Sequence, residues 1–225
     1  MATDTAADTA GAPAGSGPNR IERVDGKVAQ RICSDQVIVD LPSALKELLE
    51  NALDAGATRL DVRLREHGVE LLEVADNGKG IASIDLDGVA LRHTTSKLSE
   101  FEDLQRLSSF GFRGEALNSL AALSSLAITT RTQADVTATA LTFHTDGSVA
   151  GRAQLARDVG TCVSVGTLFA PFPVRRRELS RNAASEFRRL VSTLQAYALI
   201  CDVRFIAASR APSHKPNDLT DSPAI

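Results

Sequence analysis

An α+β domain, a mixed and largely antiparallel β-sheet with helices on one face, is what the sequence predicts, and three features predict it. The stretch "LKELLENALDAGAT", residues 45 to 58, has the apolar spacing of an amphipathic helix, and two strands with alternating apolar residues follow it directly. A second long helix, Ala183 to Ile200, has one more strand behind it. Helices and strands do not alternate strictly, as a doubly wound fold requires, so they segregate into layers. With 225 residues and 43% hydrophobic composition, the chain can bury a sizeable core.

The elements follow in order. Residues 1–19, "MATDTAADTAGAPAGSGPN", hold too little apolar matter to pack and read as a disordered tail. Ile21 to Ile38 reads as an extended piece and a helical turn, and Pro42 opens the first long helix, which Gly56 stops. "RLDVRLRE" alternates Leu60, Val62 and Leu64 with charged residues, His67-Gly68 turns the chain, and "VELLEVAD" is a more apolar strand. Helical material is expected near Asp85 to Leu91 and Phe101 to Leu107, and a helix from about Glu115 to Leu120. Strands are expected at about Ala127 to Arg131, Val136 to Phe143, Cys162 to Leu168 and Val203 to Ala207. The domain therefore occupies residues 20–208, its last strand a candidate start of a second domain, with 209–225 an unstructured tail.

Composition excludes some functions. Net charge is −3, Trp is absent and aromatics make up 4% of residues, so neither a global basic field nor a base-stacking surface is on offer. Locally, Arg175, Arg176, Arg177, Arg181, Arg188, Arg189 and Arg204 form a modest basic patch that a solvated face or DNA phosphates would equally explain. Cys33, Cys162 and Cys201 are too far apart for a zinc site and suit a reducing compartment. No apolar run approaches a membrane span and no signal peptide opens the chain, so the expectation is a soluble intracellular protein with no membrane role.

Chemistry concentrates in a few places. At about 100° per residue, Leu45, Leu48, Leu49, Ala52 and Leu53 make the core-facing stripe of the first helix. Glu50, Asn51 and Asp54 then fall within roughly 60° of Glu47. Lys46 is the one local cation beside this arc. Water can complete it, or a cation that the carboxylates and the amide oxygen were gathered to meet. "DNGKG", residues 76 to 80, has the composition of a hairpin turn, yet no second strand follows. A buried Asp76 at a strand end can instead accept hydrogen bonds from a base, with Gly78 and Gly80 letting a ring approach the backbone. "GFRGEAL" places Gly111 and Gly114 before a helix whose first N–H groups suit phosphate. "HTTSK", residues 93 to 97, adds hydroxyls and a lysine, for phosphates or for a helix cap. "GxxxxGK[ST]" and "GxGxxG" are both missing, so a nucleotide site must be of another kind.

In sequence and order, "KELLENALDAGAT", "DNGKGI", "HTTSK", "GFRGEAL" and "GTCVSV" resemble the nucleotide-binding motifs of the MutL family of DNA mismatch repair proteins. That family shares an ATPase superfamily with gyrase, the Hsp90 chaperones and the sensor histidine kinases. The resemblance runs from about Ile21 to Ala208, and "RICSDQVIV" and "LFAPFPVRRREL" look like the eukaryotic postmeiotic-segregation branch. It implies a Bergerat-type ATP-binding fold, with ATP and Mg²⁺ as cofactors and an ATP-driven conformational clamp as function. By the same resemblance Glu47 is the general base and Asn51 the Mg²⁺ ligand. Asp76 holds the adenine amino group, Gly78 and Gly80 make room for it, and Thr161 supports Asp76. Gly111, Phe112, Arg113 and Gly114 form a lid on the phosphates, with Thr95, Ser96 and Lys97 nearby. Glu50 and Asp54 take lesser, structural roles.

Family members continue into a second α/β domain that supplies a phosphate-directed lysine, then a linker and a C-terminal dimerisation domain carrying a metal-dependent endonuclease site. For this stretch the resemblance therefore implies Mg-ATP binding with weak or no turnover and no endonuclease site. It also implies a MutL-homologue partner in a heterodimer, a MutS-type mismatch recognition complex, weak contact with double-stranded DNA and a nuclear location. The competing class is a non-enzymatic partner- or DNA-binding module that retains the fold.

Overall fold

A computed structural model of the protein describes residues 34, 36–92, 94 and 114–210. Among the described residues, seven strands form one mixed sheet in the order β5-β4-β3-β6-β2-β1-β7. They are β1 (Arg59–Arg65), β2 (Leu71–Asp76), β3 (Ser125–Arg131), β4 (Ala138–Phe143), β5 (Val149–Leu155), β6 (Gly160–Gly166) and β7 (Arg204–Arg210). Every pairing is antiparallel except β1 with β7. The helices described in full are α1 (Leu41–Asp54), α2 (Ala116–Leu123), α3 (Pro173–Arg181) and α4 (Ala183–Ile200).

The period-2 patterns explain why one face is covered. In register, Val62 faces Val74, Val74 faces Val163, and Leu126 faces Val165, so the apolar residues of four strands form continuous rows. Against these rows pack Leu45, Leu48 and Leu49 of α1, Leu120 and Leu123 of α2, and Leu190 and Leu194 of α4, all in one core cluster. Complete burial of each such leucine contributes about 1.5–3 kcal/mol. The opposite face of the central strands carries charge, with Arg63 paired to Glu73 at 3.1 Å.

The start of α1 is specified locally and then tied to a distant helix. Asp40 and Ser43 form a capping box: Ser43 N–H donates to Asp40 Oδ1 at 2.8 Å and Asp40 N–H to Ser43 Oγ at 3.0 Å. Pro42 occupies the first turn, where its missing N–H costs nothing. Arg189 of α4 reaches Asp40 Oδ2 at 2.6 Å, and Leu41 N–H points to Glu186 Oε2 at 3.4 Å.

Several expectations need correction. No helix forms over 85–91; a single 3₁₀ turn at Ser83–Asp85 leads into further turns. Side chains take the carbonyls a helix would use: Thr94 Oγ1 donates to Gly88 O and Leu91 O, and Asn118 Nδ2 to Ala90 O. Strand β5 and helix α3 were not expected. β5 exposes most of both faces and α3 buries only Leu179, so neither carries a readable apolar period. The strand expected from Val136 begins at Ala138, β6 spans Gly160–Gly166, and β7 runs on to Arg210 within the same sheet. His67-Gly68 does turn the chain, inside a 3₁₀ turn with His67 at φ 56°. The first tail, the extended piece from Ile21, the helical material at 101–107 and the tail from 211 lie outside the described residues.

Candidate functional site

A cavity of about 1260 Å³ opens between the polar side of α1, the loop after β2 and the start of α2. Its walls include Glu47, Asn51, Asp54, Asp76, Lys79 and Thr161. Residues far apart in sequence thus share one space, and sheet register explains how. Asp76 continues the row Leu72, Val74 on the helix-facing side of β2, at the point where apolar packing gives way to the cavity. Thr161 of β6 stands next to it, and Thr130 of β3 pairs with Thr161.

That row is closed by hydrogen bonds. Asp76 Oδ1 accepts from Gly78 N–H at 2.8 Å and from Thr161 N–H at 3.1 Å. Among the described residues Oδ2 accepts none. Burial pushes the Asp76 carboxyl above its ordinary value of 3.8, against the opposing pull of the two N–H groups and of Arg157. Thr161 Oγ1 lies 3.0 Å from Thr130 Oγ1, which also accepts Ile81 N–H at 2.9 Å. Thr130 is 2% exposed and was missed in the sequence. Its signal was faint, one hydroxyl on the buried side of "LAITTR".

The loop is fastened on both sides. Asn77 Oδ1 accepts Thr58 N–H and Arg59 N–H at 2.9 and 2.8 Å, and Lys79 N–H donates to Ala55 O at 3.0 Å. A Cβ on Gly78 would meet Ala55 O at 2.8 Å, and one on Gly80, at φ 75°, would collide with the Arg131 carbonyl. Both glycines are thus needed for the packing of the loop itself. Their missing side chains let the loop press against α1 and β3.

On α1 the polar arc divides. Glu47, Asn51 and Asp54 are half-buried along the cavity. Glu50 is 7% exposed and bound on two sides: Lys46 Nζ lies 2.8 Å away, and Tyr197 Oη of α4 donates to Oε1 at 2.7 Å. Burial and the Glu50 carboxylate push the Tyr197 phenol upward. Across the cavity, Gly114 at φ 61° packs against the Thr94 carbonyl, and both residues line the wall with the first turn of α2. Thr95, Ser96, Lys97, Gly111, Phe112 and Arg113 lie outside the described residues.

The donor set fits a magnesium nucleotide. Mg²⁺ is usually held by one or two protein oxygens, with phosphates and waters completing its shell. A side-chain amide between two carboxylates on one helix face supplies such oxygens. Among the described residues no group of three or more His, Cys, Asp or Glu could hold a metal ion by itself. The basic patch is partly committed elsewhere: Arg189 holds Asp40, and Arg175 stacks 3.9 Å above the Phe169 ring and donates to Val39 O at 2.7 Å.

Comparison with known proteins agrees with the geometry. The family model described as histidine kinase-, DNA gyrase B-, and HSP90-like ATPase matches residues 39–157. The chain is 46% identical over 203 residues to the DNA mismatch repair protein PMS1 of Arabidopsis thaliana, covering 90% of this chain and 22% of that protein. It is likewise 46% identical over 189 residues to the mismatch repair endonuclease PMS2 of Gallus gallus, covering 84% and 22%. The chain thus spans about a fifth of the length of these relatives. Among solved structures, the crystal structure of the N-terminal domain of a DNA repair protein superposes with TM-score 0.72 at 34% identity, covering 82% of this chain and 53% of that one. The Aquifex aeolicus MutL ATPase domain complexed with ADP superposes with TM-score 0.60 at 27% identity, covering 78% and 62%.

Proposed function

The chain belongs to the family of histidine kinase-, DNA gyrase B- and HSP90-like ATPases and matches the N-terminal ATPase domain of MutL-type mismatch repair proteins, and on that premise we propose how its residues serve ATP. Asp76 receives the adenine amino group on the carboxylate oxygen that the backbone leaves open, and Thr161 and Thr130 hold Asp76 in place. This reading rests above all on the pinned Asp76, one oxygen tied by Gly78 and Thr161 inside a cavity of nucleotide size. Asn51 offers its side-chain oxygen to Mg²⁺, which when bound offsets phosphate charge. Glu47 takes a proton from the attacking water, whose oxygen bonds to the γ-phosphorus as the bridging P–O bond breaks and ADP leaves with the electron pair. The start of α2 and Gly114 face the phosphates, and we assign residues 111–113 and 95–97 to the same lid.

The polypeptide as it stands binds Mg-ATP and turns it over weakly. Charge developing on the transferred phosphoryl group needs cations directed at it, and of Lys46, Lys79 and Arg92, which line the cavity, the first is engaged by Glu50. Steady-state hydrolysis is the check. Slow turnover is expected, and a rate equal to that of a full-length relative would contradict it.

The Asp76 carboxyl predicts a pH dependence. Its folded value lies above the ordinary 3.8, so folding takes up a proton as pH falls through the interval between the two. The stability contribution of this group therefore rises on acidification, while the ionised acceptor needed by adenine is lost. Affinity for an ATP analogue should weaken toward acid pH earlier than an ordinary aspartate would allow, and calorimetric titration across that range reads it. A flat profile would remove Asp76 from the binding site.

Wider roles come from the relatives. We propose that the domain, residues 20–208, acts in mismatch repair in a eukaryotic nucleus, as an ATP-driven clamp beside a MutL-homologue subunit and a MutS-type complex. Contact with double-stranded DNA is weak, through those arginines of the patch not committed to the fold. The endonuclease in the relatives' names is not assigned to this stretch.

A further inference from the structure

We propose that Tyr197 is a positioning residue: through Glu50 it sets the rotation of α1 that presents Glu47 and Asn51 to the cavity. The inference rests on the reading of this cavity as a magnesium-nucleotide site. It starts from a buried carboxylate that the chemistry of that site leaves unused. Glu50 is 7% exposed, and a buried charge is tolerated only when it is paired and hydrogen-bonded. Lys46 and Tyr197 supply those partners at 2.8 and 2.7 Å.

Helix geometry turns this satisfaction into positioning. On α1, Glu50 lies about 60° to one side of Glu47 and Asn51 about 40° to the other. Fixing Glu50 against α4 therefore fixes the direction of both neighbours. Tyr197 is the far end of a brace. Glu186, Leu190, Leu194 and Tyr197 recur at helical spacing along α4, Leu190 and Leu194 are buried, and Glu186 and Arg189 grip the start of α1. The two helices are thus tied at Asp40–Leu41 and again at Glu50. The first tie fixes where α1 starts; the second fixes how it is turned. Proper placement matters because a shift of about 1 Å in a catalytic constellation can cost roughly 100-fold.

The test is calorimetric titration of the 225-residue chain with a non-hydrolysable ATP analogue, with and without Mg²⁺. Wild type, Tyr197→Phe, Glu50→Gln and Glu50→Ala are compared at a temperature where circular dichroism shows each folded. Asp76 is held by Gly78 and Thr161 rather than by a side chain of α1, so adenine recognition depends less on the turn of α1 than Mg²⁺ binding by Asn51 does. Tyr197→Phe should keep its Mg²⁺-free affinity within about two-fold and lose about ten-fold of the gain that Mg²⁺ brings. Glu50→Ala, which removes the acceptor from the other side, should reproduce that split, and Glu50→Gln, which still accepts from the phenol, should stay near wild type. Equal losses with and without Mg²⁺, or no loss in Tyr197→Phe, would reduce Tyr197 to a structural contact and overturn the proposal. A Glu50→Gln loss as large as that of Tyr197→Phe would do the same, by making charge rather than the hydrogen bond decisive. A folded wild type that binds no nucleotide in either condition would overturn the reading of the cavity, and this inference with it.

Discussion

Replacing Asp76 by Ala is expected to weaken adenine-nucleotide binding roughly 10- to 150-fold, because a hydrogen bond to a charged group contributes about 1.5–3 kcal/mol in a partly desolvated site. Truncation also strips the Gly78 and Thr161 N–H groups of their acceptor, so the loop after β2 should lose stability as well. Asp76→Asn separates the two effects. Its oxygen can still accept from both N–H groups, while its amide nitrogen would meet the adenine amino group donor to donor. The Asn variant should keep the wild-type melting temperature and lose affinity nearly as far as Ala. Binding by Asp76→Asn as tight as wild type would show that the base is read elsewhere.

Glu47→Ala acts on the other end of the nucleotide. Loss of a positioned general base typically slows a reaction about 10²- to 10⁴-fold, and Glu47 is not asked to hold the ground state, so affinity should stay within about two-fold. Single-turnover hydrolysis with protein in excess reads the chemical step without the confusion of product release. Unchanged turnover would mean that the base is another group, and no turnover by either protein would favour a binding module that keeps the fold.

The parts of this site that a sequence reader can find are those with strong local signatures. The first helix is one: its apolar stripe fixed the core side, so the opposed arc of Glu47, Asn51 and Asp54 could be placed before any contact was known. Asp76 is another, since it ends an apolar strand and is followed by glycines with no second strand to make a hairpin. Thr130 was invisible because its importance depends on the registration of β3 with β6, two strands brought together from distant parts of the chain. The partnership of Glu50 with Tyr197 was hidden for the same reason, being 147 residues apart. Gly78 and Gly80 were recognised as necessary, but the atoms that require them, Ala55 and Arg131, emerge only from packing. Where helix was expected at 85–91, the spacing of Leu86 and Ala90 suited one; Thr94 and Asn118 captured the carbonyls instead. β5 escaped notice because an edge strand with little buried surface has no apolar alternation to display.

The measurement that bears most directly on the whole account is calorimetric titration of the wild-type chain with a non-hydrolysable ATP analogue, with and without Mg²⁺, beside Asn51→Ala. Saturable binding that Mg²⁺ strengthens, with the magnesium increment lost in Asn51→Ala, is the predicted result. Absence of binding by the folded wild-type chain, or a magnesium increment undiminished by Asn51→Ala, would contradict it.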